Sequence, residues 1–170
     1  MIQLHHGPTQ PLIHVLPQWA EQGAQMLADA IVRQARQHGR CRLALTGSKQ
    51  ALPVYSALKR LLPTSVYSLL WLTWTDELVL PVANDIQPGQ WQAMSPHSHL
   101  YQSYDAWLAH VPVVTEQVLP LVLHGDGPQD VVRFGREFQI KFSGGVDIAL
   151  FGLGSHGQIA SHWPGHPALD

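Results

Sequence analysis

Between Pro17 and Gly39 apolar residues return every three or four positions, at Ala20, Ala24, Leu27 and Ile31. This spacing predicts an amphipathic helix, with Pro17 near its start and Gly39 just past its end. The period then changes. "CRLALTG", Cys41 to Gly47, is a short apolar run ending in turn residues, the pattern of a buried parallel strand. After the loop "SKQA", Val54, Leu58 and Leu61 share one helical face before Pro63 interrupts it. The same strand, loop and helix unit recurs. "VYSLLWLTWTD", Val66 to Asp76, predicts a second strand, a loop bearing Pro and Gly runs to about Pro96, and "LYQSYDAWLAHV" reads as a helix. A strand near "VLPLVL", a helix carrying Val131, Phe134 and Phe138, and the strand "VDIALF" complete the series.

Buried strands alternating with amphipathic helices predict a three-layer α/β/α fold around an open, mostly parallel, Rossmann-like sheet. With 170 residues and 45% hydrophobic content, one domain spanning 1–170 is expected. Charged residues make up 13% of the chain, about half the share usual in soluble proteins, which argues against a disordered, solvating chain. A formal net charge of -2 and the lack of any Lys/Arg run give no reason to expect a nucleic acid or an anionic membrane as partner. Cys41 stands alone, so no intramolecular disulfide or cysteine-based zinc cluster is expected. The N-terminus lacks the charge and apolar pattern of a signal peptide, no run is long enough to span a membrane, and the cytoplasm is the expected compartment.

In a sheet of this kind function belongs in the crevice outside the carboxyl ends of the strands. Three loops are expected there: "TGSKQ" at 46–50, "TDELVLP" at 75–81 and "GLGSHGQ" at 152–158. On these loops the sequence resembles the 6-phosphogluconolactonase family, whose relatives include the glucosamine-6-phosphate deaminases. "LALTGSKQALPVY" is similar to the family's phosphate-binding turn, roughly L-S-G-G-S-T-P-x-x-x-Y, and "TWTDELVLP" to its W-T-D-E-R-x-V-P. "DIALFGLGSHGQIASHWPGHPAL" resembles D-L-x-L-L-G-M-G-x-D-G-H-x-A-S-L-F-P-G without gaps. The motifs occur in the family's order from Leu43 to about Leu169, and the C-terminal part of the family fold, which would follow the last motif, is expected to be missing from these 170 residues.

The resemblance implies hydrolysis of 6-phosphogluconolactone, a step of the pentose phosphate pathway, without metal or organic cofactor and with a histidine of D-G-H activating water. On this chain that histidine falls on Gln158 and the preceding aspartate on His156. A carboxamide accepts no proton at useful pH, so the implied catalytic set is Asp76 and His156, with Gln158 standing where the base should be. The phosphate turn maps onto Gly47, Ser48 and Lys49, where the helix N-terminus and the lysine would meet an anion. The arginine of D-E-R is Leu78, Glu77 keeps the acidic pair, and a family S-N pair lands on Ser98 and His99. Backbone N–H groups of the loop from Gly152 to Gly157, Gly154 included, would stabilise the oxyanion, and in a helical segment His162 would share a face with Gln158.

Two other readings fit the same residues: a non-catalytic relative that binds a sugar phosphate or a protein, and an amino-sugar-phosphate isomerase or deaminase. The expected assembly is a monomer or weak homodimer. Among eleven histidines, His97, His99, His156 and His162 fall at or beside motif positions. Imidazoles can ligate metals, but a habit of using His and Gln in place of Asp and Lys explains the count equally well, and no metal site is expected. Trp71, Trp74, Trp107 and Trp163 are expected to pack in the core.

Overall fold

The computed structural model describes residues 16–78, 97–122, 127–160, 162 and 165, together with the backbone of 3–4 and 13–14. Helix α1, Trp19–His38, follows the predicted periodicity and buries Ala24, Ala28, Ile31 and Ala35. Gly39 ends it at φ 69°, a left-handed conformation that glycine adopts without a Cβ penalty, and its N–H bonds Ala35 O at 2.9 Å. The next strand, Cys41–Leu45, runs parallel to Leu70–Trp74, pairing Cys41 with Leu70 through to Leu45 with Trp74. With Gln3–Leu4 and Ile13–His14 as the antiparallel pair β1 and β2, these are β3 and β4. The short strand Ile148–Ala149, β5, lies parallel on the other side of β3, giving the sheet order β4, β3, β5.

Helix α2, Leu52–Leu61, follows a 3₁₀ turn at Lys49–Ala51. Its buried face is Tyr55, Ala57 and Leu58, with Leu62 just beyond it, whereas Val54 and Leu61 are half-buried. The predicted strand from Val66 begins late: Thr64–Tyr67 is a helical turn, α3, that buries Val66 and Tyr67 before β4 starts at Leu70. Both are apolar and both are buried, so hydrophobicity alone does not separate the turn from the strand. Helix α4, His99–Ala106, is shorter than predicted and passes into a 3₁₀ turn at Leu108–His110.

No strand forms near "VLPLVL" among the described residues. Val118 makes a single bridge to Leu72, and Leu119 donates to Leu72 O at 2.8 Å, but Pro120 has no N–H with which to continue the ladder. Helix α5, Gly127–Lys141, forms as expected. Its Val131 is 55% exposed, so this residue belongs to the surface, while Phe134, Phe138 and Phe142 stack along one side with centroids 5.9 and 5.0 Å apart. The core lies under α1, α2 and α4, where Trp107 is fully buried and stacks on Tyr55 at 5.9 Å. Burial pushes the Cys41 thiol up to about 12, so it behaves as a small apolar side chain. Trp74 is buried and donates to Ser103 Oγ at 2.7 Å. Trp163 and the loop from 79 to 96 lie outside the described residues.

One ion pair fixes β5. Arg42 gives Asp147 two side-chain hydrogen bonds, from Nε at 3.1 Å and Nη2 at 2.7 Å, while its N–H meets the same carboxylate at 2.8 Å. Asp147 N–H returns a bond to Arg42 O at 2.8 Å. Hydrogen bonds from Arg42 hold the Asp147 carboxyl below its ordinary 3.8. A depressed carboxylate contributes stability that is present above pH 3.8 and is lost as the pH falls through its lower folded value. Arg42→Ala, which removes both guanidinium bonds and leaves the carboxylate the backbone N–H of residue 42, is expected to cost roughly 1 to 3 kcal/mol in urea unfolding at neutral pH. The variant should also show a flatter loss of stability below pH 4 than the wild type.

Candidate active site

All three loops converge beyond the carboxyl ends of the strands on an open hollow of about 460 Å³. Its lining is Thr46, Ser48 and Gln50 after β3, Asp76 after β4, His99 at the start of α4, and Gly152, Gly154, Ser155, Gln158 and Ala160 after β5.

The first wall is held from below. The Tyr55 hydroxyl donates to Thr46 O at 2.7 Å and accepts from Thr46 N at 3.0 Å, pinning both backbone polar atoms of that residue from a helix. Burial raises the Tyr55 phenol far above its usual range, so it stays protonated and keeps donating. Ser48 Oγ accepts from Gln50 N at 3.3 Å and caps the 3₁₀ turn. Lys49 is exposed and stands outside the lining.

Asp76 and Glu77 divide two tasks. Glu77 Oε1 accepts the N–H of His99 at 2.7 Å and Oε2 that of Leu100 at 2.8 Å. Ser98, buried, accepts from Tyr101 N at 2.9 Å. Both side chains therefore cap α4, satisfying N–H groups that a helix start leaves open and complementing its dipole. With α4 docked, the His99 ring reaches Asp76. His99 Nδ1 lies 3.3 Å from Asp76 Oδ2 and 3.2 Å from Asp76 O.

That contact requires Gly47. A Cβ on Gly47 would stand 2.0 Å from the Cβ of His99, so backbone and imidazole pass where no other residue fits. The hydrogen bond that His99 donates to Asp76, followed by the charges of Asp76 and Glu77, raises the His99 pKa above 6.5 despite burial.

The third wall differs from the sequence expectation. "QIASH" does not form a helix: Ile159 and His162 exchange backbone hydrogen bonds at 3.0 and 2.8 Å across a two-residue turn. Ala160 enters that turn at φ 47°, a left-handed conformation that costs a non-glycine residue of order 1 kcal/mol. His162 therefore shares no helical face with Gln158, and it is not part of the lining. Gln158 does line the hollow, but it folds onto its own loop. A Cβ on Gly154 would meet the Gln158 amide within 2.4 Å, and Gln158 Oε1 accepts from His156 N at 3.2 Å. His156 is exposed, with Nδ1 3.1 Å from Ser155 Oγ, and lies outside the lining, as does Gly157, whose N–H closes a turn to Gly154 O at 3.0 Å.

A family model described as glucosamine-6-phosphate isomerases/6-phosphogluconolactonase matches residues 17–170. The chain belongs to this family. Among solved structures, 6-phosphogluconolactonase from Thermotoga maritima superposes with a TM-score of 0.70 at 16% identity, covering 87% of this chain and 62% of that one. The 6-phosphogluconolactonase of Trypanosoma brucei gives 0.65 at 20% identity, with 92% and 64% covered. A monomeric glucosamine-6-phosphate deaminase gives 0.62 at 18% identity, with 83% and 55% covered. No curated protein matches by sequence. The chain thus has the α/β fold of the 6-phosphogluconolactonase family and spans between half and two thirds of the length of these neighbours.

Within this family fold, Gly47, Ser48, Asp76, His99, Gly154 and Gln158 surround one hollow or stand directly against it, while Lys49, His156, Gly157 and His162 sit outside its lining. Thr46, Gln50, Ser155 and Ala160 are lining residues that the sequence did not single out. Thr46 carried a signal, as the residue between a strand and a turn glycine; the other three did not. Among the described residues no Lys or Arg lines the hollow, and Leu78, at the arginine position of the resembled motif, is exposed.

Gly47→Ala is expected to destabilise by about 1 to 3 kcal/mol through overpacking against His99, seen as a lower melting temperature. The His99–Asp76 pair adds stability that is complete below pH 6.5 and is lost as the pH rises through the higher folded value of His99. A wild-type stability profile declining on the alkaline side of 6.5, and flattened in Gly47→Ala, checks this.

Proposed function

We propose that this chain is a lactone hydrolase of the 6-phosphogluconolactonase type, acting on 6-phosphogluconolactone in carbohydrate metabolism. The observation that carries the reading is the convergence of Thr46, Ser48, Asp76, His99 and the Gly152–Gln158 loop on one hollow, in the family fold. Hydroxyls and amides suit a sugar ring, and a lactone carbonyl needs donors aimed at its developing oxyanion. The hydrogen bonds within the third loop engage the N–H groups of Gly154, His156 and Gly157. Gly152 and Ser155 line the hollow, and their N–H groups are assigned as the oxyanion donors. Lys49, exposed on the turn after β3, is the nearest lysine in sequence to the lining and is assigned to the substrate phosphate at the rim.

Gln158 in place of the implied base favours a second reading, a sugar-phosphate binder without turnover. Product release and binding separate the two. Hydrolysis of 6-phosphogluconolactone faster than the buffer rate supports the hydrolase; a rate equal to buffer, with a rise in melting temperature on adding 6-phosphogluconate, supports the binder. For the hydrolase, Lys49→Ala should raise KM for the phosphorylated lactone about tenfold and leave kcat within about twofold, the loss of one hydrogen bond to a charged group. Gluconolactone without the phosphate should not register the change.

A further inference from the structure

The hollow holds a histidine on a wall from which the family motif draws none. We propose that His99 is the general base of this site and that Asp76 is its positioning residue, the proton acceptor having moved from the loop after β5 to the start of α4. The inference rests on the hydrolase reading above and deepens it.

The donor and acceptor inventory decides which ring nitrogen is free. His99 Nδ1 faces two oxygens of Asp76, a carboxylate oxygen at 3.3 Å and the backbone carbonyl at 3.2 Å. Neither can donate a proton, so Nδ1 must carry one. The neutral ring then keeps its lone pair on Nε2, the tautomer a general base needs. The ring is held by more than this pair. Glu77 takes the His99 N–H, Gly47 abuts its Cβ, and the side chains of His99 and Asp76 are each only 14% exposed. Such an orienting carboxylate both fixes the ring and stabilises the imidazolium that forms during reaction.

Gln158, by contrast, is committed to its own loop through His156 N and the face of Gly154. His156 is exposed beside Ser155 and outside the lining. Of the described lining residues, His99 alone has an imidazole, and its charged neighbours are both carboxylates, Asp76 and Glu77.

The step balances without any further reagent. A water oxygen bonds to the lactone carbonyl carbon while one of its protons passes to His99 Nε2. The tetrahedral intermediate then breaks its bond to the ring oxygen, which takes the proton back from the imidazolium. The product is the open-chain acid, which ionises by releasing its proton to solvent.

Because Asp76 and Glu77 raise the His99 pKa, the neutral base accumulates only above pH 6.5 and kcat should climb through that higher value. The test combines pH–rate profiles with NMR titration of the His99 ring, in wild type and in His99→Asn and Asp76→Asn variants shown to fold by their melting curves. The expected result is one ionisation seen by both methods in the wild type. His99→Asn should lose about 10²- to 10⁴-fold in kcat, keep KM within about threefold, and lose the pH limb. In Asp76→Asn the limb and the NMR midpoint should move together toward lower pH. Hydrolysis that persists undiminished in His99→Asn overturns the inference and leaves the hydrolase reading standing. A wild type no faster than buffer overturns both. An NMR midpoint unmoved in Asp76→Asn removes Asp76 as the positioning residue.

Discussion

The site depends on one short stretch of hydrogen bonding, in which both oxygens of Glu77 close the N-terminus of α4. A helix start presents N–H groups with no partner inside the helix, and a carboxylate is the strongest side-chain acceptor for them. By supplying that carboxylate from the loop after β4, the fold ties the sheet edge to a helix separated from it by a long stretch of chain. His99 is the first residue of that helix, so the cap that stabilises α4 also delivers the imidazole to Asp76. Capping and positioning are therefore one interaction.

The scaffold beneath it works in the same way, through few contacts that each fix a loop. Thr75 N–H prolongs the β3–β4 ladder to Leu45 O at 2.7 Å, and its hydroxyl reaches Asp76 Oδ1 at 3.2 Å. The aspartate therefore leaves a strand that is still paired. Tyr55 pins Thr46 while stacking on Trp107, which carries the rigidity of the core into the turn after β3. Arg42 and Asp147 hold β5, whose loop forms the third wall, against the central strand. Backbone groups placed by paired strands are the kind of preorganised donors that electrostatic stabilisation of an oxyanion needs.

Much of this was legible along the chain, and the limits have physical reasons. Periodicity located α1, α2, β3 and β5, and the three loops that share the hollow, because these depend on local burial patterns and on the rule that α/β sheets place function at the strands' carboxyl ends. Which helix Glu77 and Ser98 would cap was not legible. Nothing in a sequence says that an acidic residue beside a strand will cap a helix beginning at His99, since the contact exists only once α4 docks. The helical reading of the segment after Gln158 failed because a spacing of four between Gln158 and His162 is indifferent to the tight bridge between Ile159 and His162, and Ala160 in the left-handed region gives no compositional warning. Tyr55 stood inside a recognised motif, but its purpose appeared only with its partner, Thr46.

Charge is where this chain departs most from the motifs it resembles, and the departures are coupled. Leu78 removes a cation from the second loop, and Gln158 a titratable ring and His156 a carboxylate from the third. What remains in the described lining is one carboxylate and one imidazole in contact. When protonated, that pair is neutral as a unit; when the ring is neutral, it leaves a single negative charge beside a base. A largely buried carboxylate is stabilised by a cationic partner as well as by hydroxyl donors, and His99 adds an imidazole beside the Thr75 hydroxyl. The substitution of a histidine at the start of α4 therefore serves Asp76 whatever the substrate. Once Nδ1 is paired with Asp76, the neutral ring carries its lone pair on Nε2, and on the proposal above proton-transfer capacity follows from the same contact that stabilises the carboxylate.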